Sequence, residues 1–200
     1  MKDGLSDAPL LKRLREGTAE HHARLDHSPS MRALLARDLT RWDYLSCLER
    51  LHPVYAALDR SLVPWISGAA LDLDERRKGP TLARDLSFFG ASPKDAAPVP
   101  RWSSAAEAWG ALYVIEGATL GGMVISKALA RHSWFDGIEG RAHFAGYGAE
   151  TPAMWTRFRQ ALLAARGTDA RFDDAALHGA CATFGLFVAR MSASEGHAAA

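Results

Sequence analysis

The chain has 200 residues, of which 48% are hydrophobic and 24% are charged, as in an ordinary globular protein. A domain of this length buries roughly 70% of the surface that its unfolded chain exposes, so its core needs no disulfide framework. The 24 basic and 23 acidic side chains give a net charge of +1, which excludes strong electrostatic attraction to nucleic acid or to an anionic membrane. Cys47 and Cys181 match no metal or redox spacing, and we expect two reduced, buried thiols in a cytoplasmic protein.

One stretch, residues 108–125, is apolar enough to resemble a membrane span. Glu116 near its middle would cost roughly 2.5–3.5 kcal/mol to insert, and four glycines weaken its apolar character. The stretch is therefore predicted to be a buried helix. The first ten residues contain no apolar signal segment, so secretion is not predicted.

Helical periodicity recurs along the chain, and no segment sustains the apolar–polar alternation of a half-buried strand. A first helix is predicted from about Pro9 to Leu25. A second runs from about residue 40 to residue 62, and Pro53 predicts a kink or a break within it. A third is predicted from about residue 80 to residue 89, ending at Gly90.

Two later helices have sharper start signals. Ser104 and Glu107 form a capping box that opens the long apolar segment. Thr151 followed by Pro152 predicts an N-cap and a proline at the first position of a helix that stops at Gly167.

A last helix is predicted from residue 173 or 174 to residue 191. The sequence therefore predicts a single all-α domain of seven or eight helices. We expect the domain to span residues 10–191, with a flexible N-terminus at 1–9 and a flexible C-terminal tail at 192–200.

The first helix carries two adjacent histidines that are candidates for binding a ligand. The stripe of Leu14, Thr18 and Leu25 leaves His21 and His22 on either side of it, so either imidazole can face the interior. A neutral imidazole is the usual axial ligand of heme iron. The plainer alternative is a solvated helix edge with one hydrogen-bonded histidine.

Two further residues share a helix face with His22. Asp26, one turn later, is close enough to hold one imidazole nitrogen directly or through water. Arg15, two turns earlier, can offer its guanidinium to a carboxylate of a bound ligand.

A glycine cluster follows in the long apolar segment. Gly117 and Gly121 are four residues apart, as are Ala118 and Gly122, so a helix there has a strip without side chains. Each mid-helix glycine costs up to about 1 kcal/mol relative to alanine, so the cluster needs a reason. The reason is close approach of a flat ligand, close helix packing, or a break between two helices.

No other catalytic motif is recognisable in the sequence. His132, His143 and His178 are isolated, and we interpret them as surface or core residues. Phe184 and Phe187 are interpreted first as core.

Taken together, the histidine and glycine segments resemble the heme oxygenase family. Residues 14–22, LREGTAEHH, resemble its proximal helix, in which three residues separate a threonine from the histidine. Residues 112–122, LYVIEGATLGG, resemble its distal helix, whose glycines let it kink over the heme. Tyr55 and the step from Thr183 to Phe184 also agree, so the resemblance extends from about Leu10 to Met191. Its details are most similar to bacterial enzymes that supply biliverdin to bacteriophytochromes.

The resemblance implies that His22, and not His21, is the proximal ligand of the iron. Family members bind heme b as both substrate and cofactor, and use molecular oxygen and an external electron donor, a ferredoxin or a flavoprotein reductase. They cleave the ring at a meso carbon, by default the alpha carbon, to biliverdin, carbon monoxide and ferrous iron. We expect such an enzyme in the cytoplasm, with no nucleic-acid or membrane partner and with a bacteriophytochrome as biliverdin acceptor.

The resemblance also implies a set of site residues. Gly117 and Gly121 are expected to shape the catalytic distal pocket, while Lys127 can reach the heme edge or face a reductase. The heme contacts carried over from the family are Arg15, Thr18, His22, Asp26, Tyr113, Val114, Gly117, Leu120, Gly121, Gly122, Lys127 and Phe184.

The sequence departs from the mammalian-type pattern on the distal side. Ala118 replaces the aspartate that follows the first distal glycine, and an expected arginine is absent near Val114. Glu116 is the nearest carboxylate, but its side chain is predicted to point away from the glycine strip. These departures leave two alternatives: a non-catalytic heme-binding or heme-delivery protein on the same fold, and a helical interaction module without a cofactor.

Overall fold

The computed structural model describes residues 8–66, 71–169 and 171–192. These residues form nine α-helices and two short 3-10 turns, with no β-strand among them. The predicted all-α fold is confirmed, with more helices than the seven or eight expected. Residues 1–7 and 193–200, which make up most of the predicted flexible termini, lie outside the described residues. The helices are α1 Pro9–Gly17, α2 Ala19–Asp26, α3 Pro29–Ala33, α4 Arg41–Leu62, α5 Gly79–Phe88, α6 Ala105–Leu129, α7 Ala142–Ala145, α8 Thr151–Arg166 and α9 Arg171–Ser192.

The predicted first helix is two helices that meet at Thr18. The Thr18 hydroxyl donates a hydrogen bond to the Leu14 carbonyl at 2.7 Å, a contact that bends helices. The Thr18 amide still donates to the Leu14 carbonyl and the His22 amide to the Thr18 carbonyl, so helical hydrogen bonding continues from α1 into α2. The helical register is therefore kept across Thr18, and Arg15 and His22 remain on the same side of the two helices.

Helix α4 continues through Pro53 without the predicted break. Its start is fixed by Thr40, whose hydroxyl accepts a hydrogen bond from the Asp43 amide at 3.1 Å. Most of the residues on both sides of Pro53 are buried, and this packing outweighs the backbone bond that proline cannot make. The Pro53 carbonyl also accepts a hydrogen bond from the Ala97 amide at 3.0 Å.

The start signals of α6 and α8 hold with small differences. Ser104 caps α6 by accepting from the Glu107 amide at 3.3 Å, as predicted. The Glu107 carboxylate, however, accepts a hydrogen bond from the amide of Ser103 at 2.7 Å and not from that of Ser104. Thr151 is the first residue of α8 and Glu150 is its cap, so Pro152 is the second helical residue and not the first. The Thr151 hydroxyl donates back to the Gly148 carbonyl.

Helices α6 and α9 form the centre of the bundle, and their backbones touch. A Cβ added at Gly110 would lie 1.8 Å from the Ala176 carbonyl oxygen, and one at Gly179 would lie 2.0 Å from that of Glu107. Glycine is thus required at both positions for this close approach. Helices α1, α2 and α4 also pack against α9. Helix α9 therefore contacts both α2, which carries the two histidines, and α6, which carries the glycine cluster.

Helix α6 is the one helix of the described residues that is long and apolar enough to span a membrane. Its most apolar window is 61% buried inside the protein, as predicted for a core helix. Both cysteines are free, but only Cys47 is buried. The expectation of a second buried thiol is wrong for Cys181, which lies half-buried where α9 passes the Gly17 carbonyl.

Candidate functional site

The His22 imidazole is exposed and held in a fixed orientation. Its Nδ1 lies 2.9 Å from Oδ2 of Asp26, one turn along α2, as the spacing predicts. The Phe184 ring of α9 packs against it with a centroid separation of 5.7 Å. The side chain is 63% exposed, and Nε2 has no hydrogen bond to any described residue. An oriented imidazole with a free nitrogen suits a heme iron ligand.

His21 lies on the other side of the apolar stripe and is more enclosed. It is half-buried, and its shielded Nδ1 has no hydrogen-bond partner among the described residues. Thr18, between Leu14 and the histidines, is buried with its hydroxyl bonded to the preceding turn. Of the two histidines, His22 is therefore the one that offers a nitrogen to an incoming ligand while a carboxylate orients its ring.

A first run of contacts joins the glycine segment of α6 to α8. Burial raises the pKa of Tyr113, and the charge of the exposed Arg15 partly lowers it. The Tyr113 ring packs on Trp155 of α8 at 5.7 Å. Trp155 in turn is the nearest group to a Cβ added at Gly117, at 3.9 Å.

The glycines of α6 differ in what surrounds them. A Cβ added at Gly121 would meet nothing within 4 Å, and one at Gly117 would meet only the edge of Trp155. A Cβ at Gly122, in contrast, would lie 2.8 Å from the Phe144 carbonyl oxygen of α7. Gly121 therefore opens a surface for a ligand, whereas Gly122 is explained by helix packing.

Other predicted contacts on α6 are divided between interior and surface. Val114 is buried, and Lys127 is exposed without a hydrogen bond or ion pair to any described residue. Three large apolar side chains beyond Gly117 are exposed, namely Leu120, Met123 and Val124. An apolar, side-chain-poor surface of this kind fits a flat hydrophobic ligand such as a porphyrin.

A second run of contacts joins His22 to the glycine segment through aromatic rings. Phe184 and Phe187 are three residues apart on α9 and share a face. Phe187 packs on Tyr55 of α4 at 4.9 Å, and Tyr55 packs on His143 of α7 at 4.9 Å. We call Phe184, Phe187, Tyr55 and His143 the ring wall. Because α7 abuts Gly122, the ring wall extends from the proximal histidine to the distal glycines.

A buried ionic cluster fixes the other side of α6. Glu116 is fully buried and accepts hydrogen bonds from Arg76, from Lys78 Nζ at 3.3 Å and from the Tyr147 hydroxyl at 2.7 Å. Burial lowers the pKa of Lys78, and the Glu116 carboxylate counteracts this. Glu116 thus points into the bundle and away from the glycine strip, as predicted.

Sequence patterns did not indicate the residues around this cluster or His143. Arg76 and Lys78 lie in a charged run that resembles a surface loop, and α7 is only four residues long, too short for a periodic signal. Asp85, which is buried in α5, accepts hydrogen bonds from the amides of Ala142 and His143 at 3.0 and 2.8 Å and so positions α7.

The fold and these surfaces define a class: an all-helical protein with one oriented, exposed histidine and an open glycine face. Residues 8–193 match the family model described as heme oxygenase. A relative named heme oxygenase, from Xanthomonas campestris pv. campestris (strain 8004), is 38% identical over 145 residues, which cover 72% of this chain and 86% of the relative. The chain therefore belongs to the heme oxygenase family, a family of heme-degrading enzymes, and heme binding and use of oxygen follow from this membership.

Solved structures of the same family share the fold. The NO- and CO-bound heme oxygenase from Neisseria meningitidis matches with a TM-score of 0.78 and 22% identity, over 91% of this chain and 89% of that one. The heme oxygenase from Leptospira interrogans matches with a TM-score of 0.77 and 20% identity, over 92% and 98% of the two chains. At these identities the likeness is one of fold.

Proposed function

We propose that this protein is a heme oxygenase that opens heme at a meso carbon and releases biliverdin, carbon monoxide and ferrous iron. The observation that carries the proposal is the His22 imidazole, oriented by Asp26 and exposed at the end of the ring wall. The heme it binds supplies the iron at which oxygen is activated. Residues of this chain would bind and orient the heme and would control the water and protons around it.

On the proximal side, His22 would ligate the iron through Nε2 while Asp26 holds Nδ1. A carboxylate on Nδ1 fixes the ring and raises its basicity as a ligand. Phe184 would pack beside the ligated ring, and Thr18 keeps the turn before it compact. Arg15 would bind a heme propionate by a charge-assisted bond, worth roughly 1.5–3 kcal/mol.

On the distal side, Gly117 and Gly121 would admit the heme face and the bound oxygen. Their role is steric, because backbone alone leaves room that any side chain would occupy. Tyr113, Val114 and Leu120 would complete the apolar contact along α6. Gly122 would support the pocket indirectly by letting α7 approach.

The wider setting follows from the same proposal. We place the enzyme in the cytoplasm, where a ferredoxin or a flavoprotein reductase would supply electrons. Lys127, exposed beyond the glycines, would contact either the heme edge or that donor. The biliverdin, by default the alpha isomer, would pass to a bacteriophytochrome.

A single-turnover reaction tests the proposal. The heme complex is mixed with oxygen and a chemical reductant, and the products are separated by chromatography. Formation of biliverdin and carbon monoxide supports the enzyme. A complex that binds heme tightly but leaves it unchanged would instead identify a heme carrier. This is the alternative raised by Ala118, which replaces the distal aspartate. No spectral change on heme addition would contradict both.

A further inference from the structure

His143 is the unexplained polar residue of the ring wall. Its imidazole packs edge-on against Tyr55 at 4.9 Å and against the neighbouring Phe144 ring at 5.0 Å. Neither ring nitrogen has a hydrogen bond to a described residue, and Nδ1 is shielded from solvent. A shielded polar atom without a partner is rare in native proteins and requires an explanation.

The surroundings of His143 fix its backbone but leave its ring free for another partner. Its amide donates to Asp85 at 2.8 Å, which anchors α7 to α5. The next carbonyl, that of Phe144, lies against Gly122. The imidazole is therefore mounted on a segment in direct contact with the distal helix, one residue beyond the open position at Gly121.

A second polar group lies beside it. The Tyr55 hydroxyl also makes no hydrogen bond to a described residue, although the tyrosine is almost completely buried. Two adjacent buried polar groups without partners are the usual setting for an ordered water, which typically makes two to four hydrogen bonds. Apolar aromatic packing alone would give no reason for a histidine instead of a phenylalanine here.

We propose that His143 is a positioning residue for the reaction: with Tyr55, it holds an ordered water in the cleft beside the distal glycines. The inference rests on the proposed heme oxygenase function. Ala118 has only a methyl group and offers no polar atom to such a water. Burial and the nearby charge of Lys78 lower the pKa of His143 to about 3, so the ring is neutral and can both donate and accept.

The first test asks whether His143 lies near the bound heme, and it does not require the enzyme to turn over. Hemin should broaden the His143 ring proton resonances, whereas zinc protoporphyrin, which is diamagnetic, should leave them sharp. His178, exposed on α9 and bonded to Glu107, is the internal reference and should broaden far less. Equal broadening of both histidines, or none at His143, would overturn the placement.

The role is tested with His143→Phe and His143→Gln, against His132→Phe as the matched control. His132 also has a shielded ring nitrogen without a partner and also packs on an aromatic ring, that of Trp134, but it is outside the ring wall. In the phenylalanine variant we expect heme affinity within about threefold of wild type and turnover at least about tenfold slower. The pH midpoint of the acid-to-alkaline change in the ferric heme spectrum should move by about half a pH unit or more.

His143→Gln, which keeps polar atoms at this place, should restore much of the rate, and His132→Phe should match wild type. Wild-type rate and an unmoved midpoint in His143→Phe would overturn the inference. If that variant does not fold, His143 ring resonances that hemin leaves unbroadened in the wild type would overturn it as well. If the wild type itself does not turn over, the proposed function fails. The pH midpoint of the ferric spectrum and the broadening by hemin would still show whether His143 lies beside the heme.

Discussion

Nδ1 of His22 lies 2.9 Å from Oδ2 of Asp26, one helical turn further along α2. Both side chains are more than half exposed, so the pair adds little to the stability of the free protein. A contact that stabilises little and fixes an imidazole is better explained by ligand binding than by folding. The pair is therefore the part of the proximal side most sensitive to a functional test.

We predict that Asp26→Ala weakens heme binding by about 10- to 100-fold, the usual effect of removing the group that orients a ligating histidine. The iron–histidine stretching frequency of the ferrous complex should fall, because the imidazole becomes less basic. Absorbance titration with heme and resonance Raman spectroscopy provide the two measurements. Glu20→Ala, which removes another exposed carboxylate from α2, is the control and should change neither.

The glycines of α6 offer a matched pair of substitutions. Gly121→Ala adds a methyl group in open space, where it should raise the free energy of unfolding by up to about 1 kcal/mol through helix propensity. Turnover should slow all the same, and Gly121→Val should obstruct it further. Thermal unfolding and single-turnover rate on the same samples separate the two effects.

Gly110→Ala is the contrasting variant, because its Cβ would collide with the Ala176 carbonyl. It should lower the free energy of unfolding by more than about 2 kcal/mol, while molecules that still fold retain their heme chemistry. If Gly121→Ala is instead the unstable variant and remains fully active, the glycines serve packing and the distal assignment is wrong.

The buried cluster around Glu116 predicts a large effect on stability. Glu116→Gln leaves the buried Arg76 and Lys78 without a carboxylate, and breaking such a pair costs about 3–5 kcal/mol. Urea unfolding measures this cost. Asp74→Asn, which breaks an exposed pair with Arg77 at 2.6 Å, should cost less than about 1 kcal/mol. Equal effects of the two variants would show that Glu116 is not held as the structure indicates.

His143 predicts a pH dependence of stability. Its pKa is about 3 in the folded protein and near 6.5 when unfolded, so between these values the unfolded chain binds a proton that the folded protein does not. Stability from this residue is thus fully present above about pH 6.5 and is lost as the pH falls, by at most about 1.4 kcal/mol per pH unit. The neighbouring Asp85, whose pKa burial raises to about 6, acts in the opposite sense.

The comparison of wild type with His143→Gln isolates this contribution, since Asp85 is present in both proteins. Between about pH 7 and about pH 5, the free energy of unfolding of the wild type should fall relative to that of the glutamine variant. A difference that stays constant over that range would mean that His143 titrates normally in the folded protein.

The parts of the fold that sequence predicts are those governed by local chemistry. The cap at Ser104, the helix end before Gly90 and the apolar stripes of the long helices all depend on residues within one or two turns. The break allowed for at Pro53 does not occur, because local rules take no account of the packing around it. The contacts of α7 with α6 depend on residues far apart in the chain, so no local signal could predict them.

The candidate site divides in the same way. The pairing of His22 with Asp26 follows from helical spacing, and the open position at Gly121 from the glycine repeat. Periodicity alone left His21 and His22 equivalent, and it could not distinguish Gly121 from Gly122. Only the approach of α7 shows that Gly122 is packed, and only the meeting of α4, α7 and α9 brings His143 beside Tyr55.

A single-turnover comparison of His22→Ala with His21→Ala tests the central assignment most directly. Each protein is loaded with heme, its ferric spectrum is recorded, and biliverdin is measured after addition of reductant and oxygen. We expect His22→Ala to lose the histidine-ligated spectrum and to form no biliverdin, and added imidazole to restore the spectrum; His21→Ala should remain close to wild type. Loss of both signals in His21→Ala, with His22→Ala unaffected, would contradict the account.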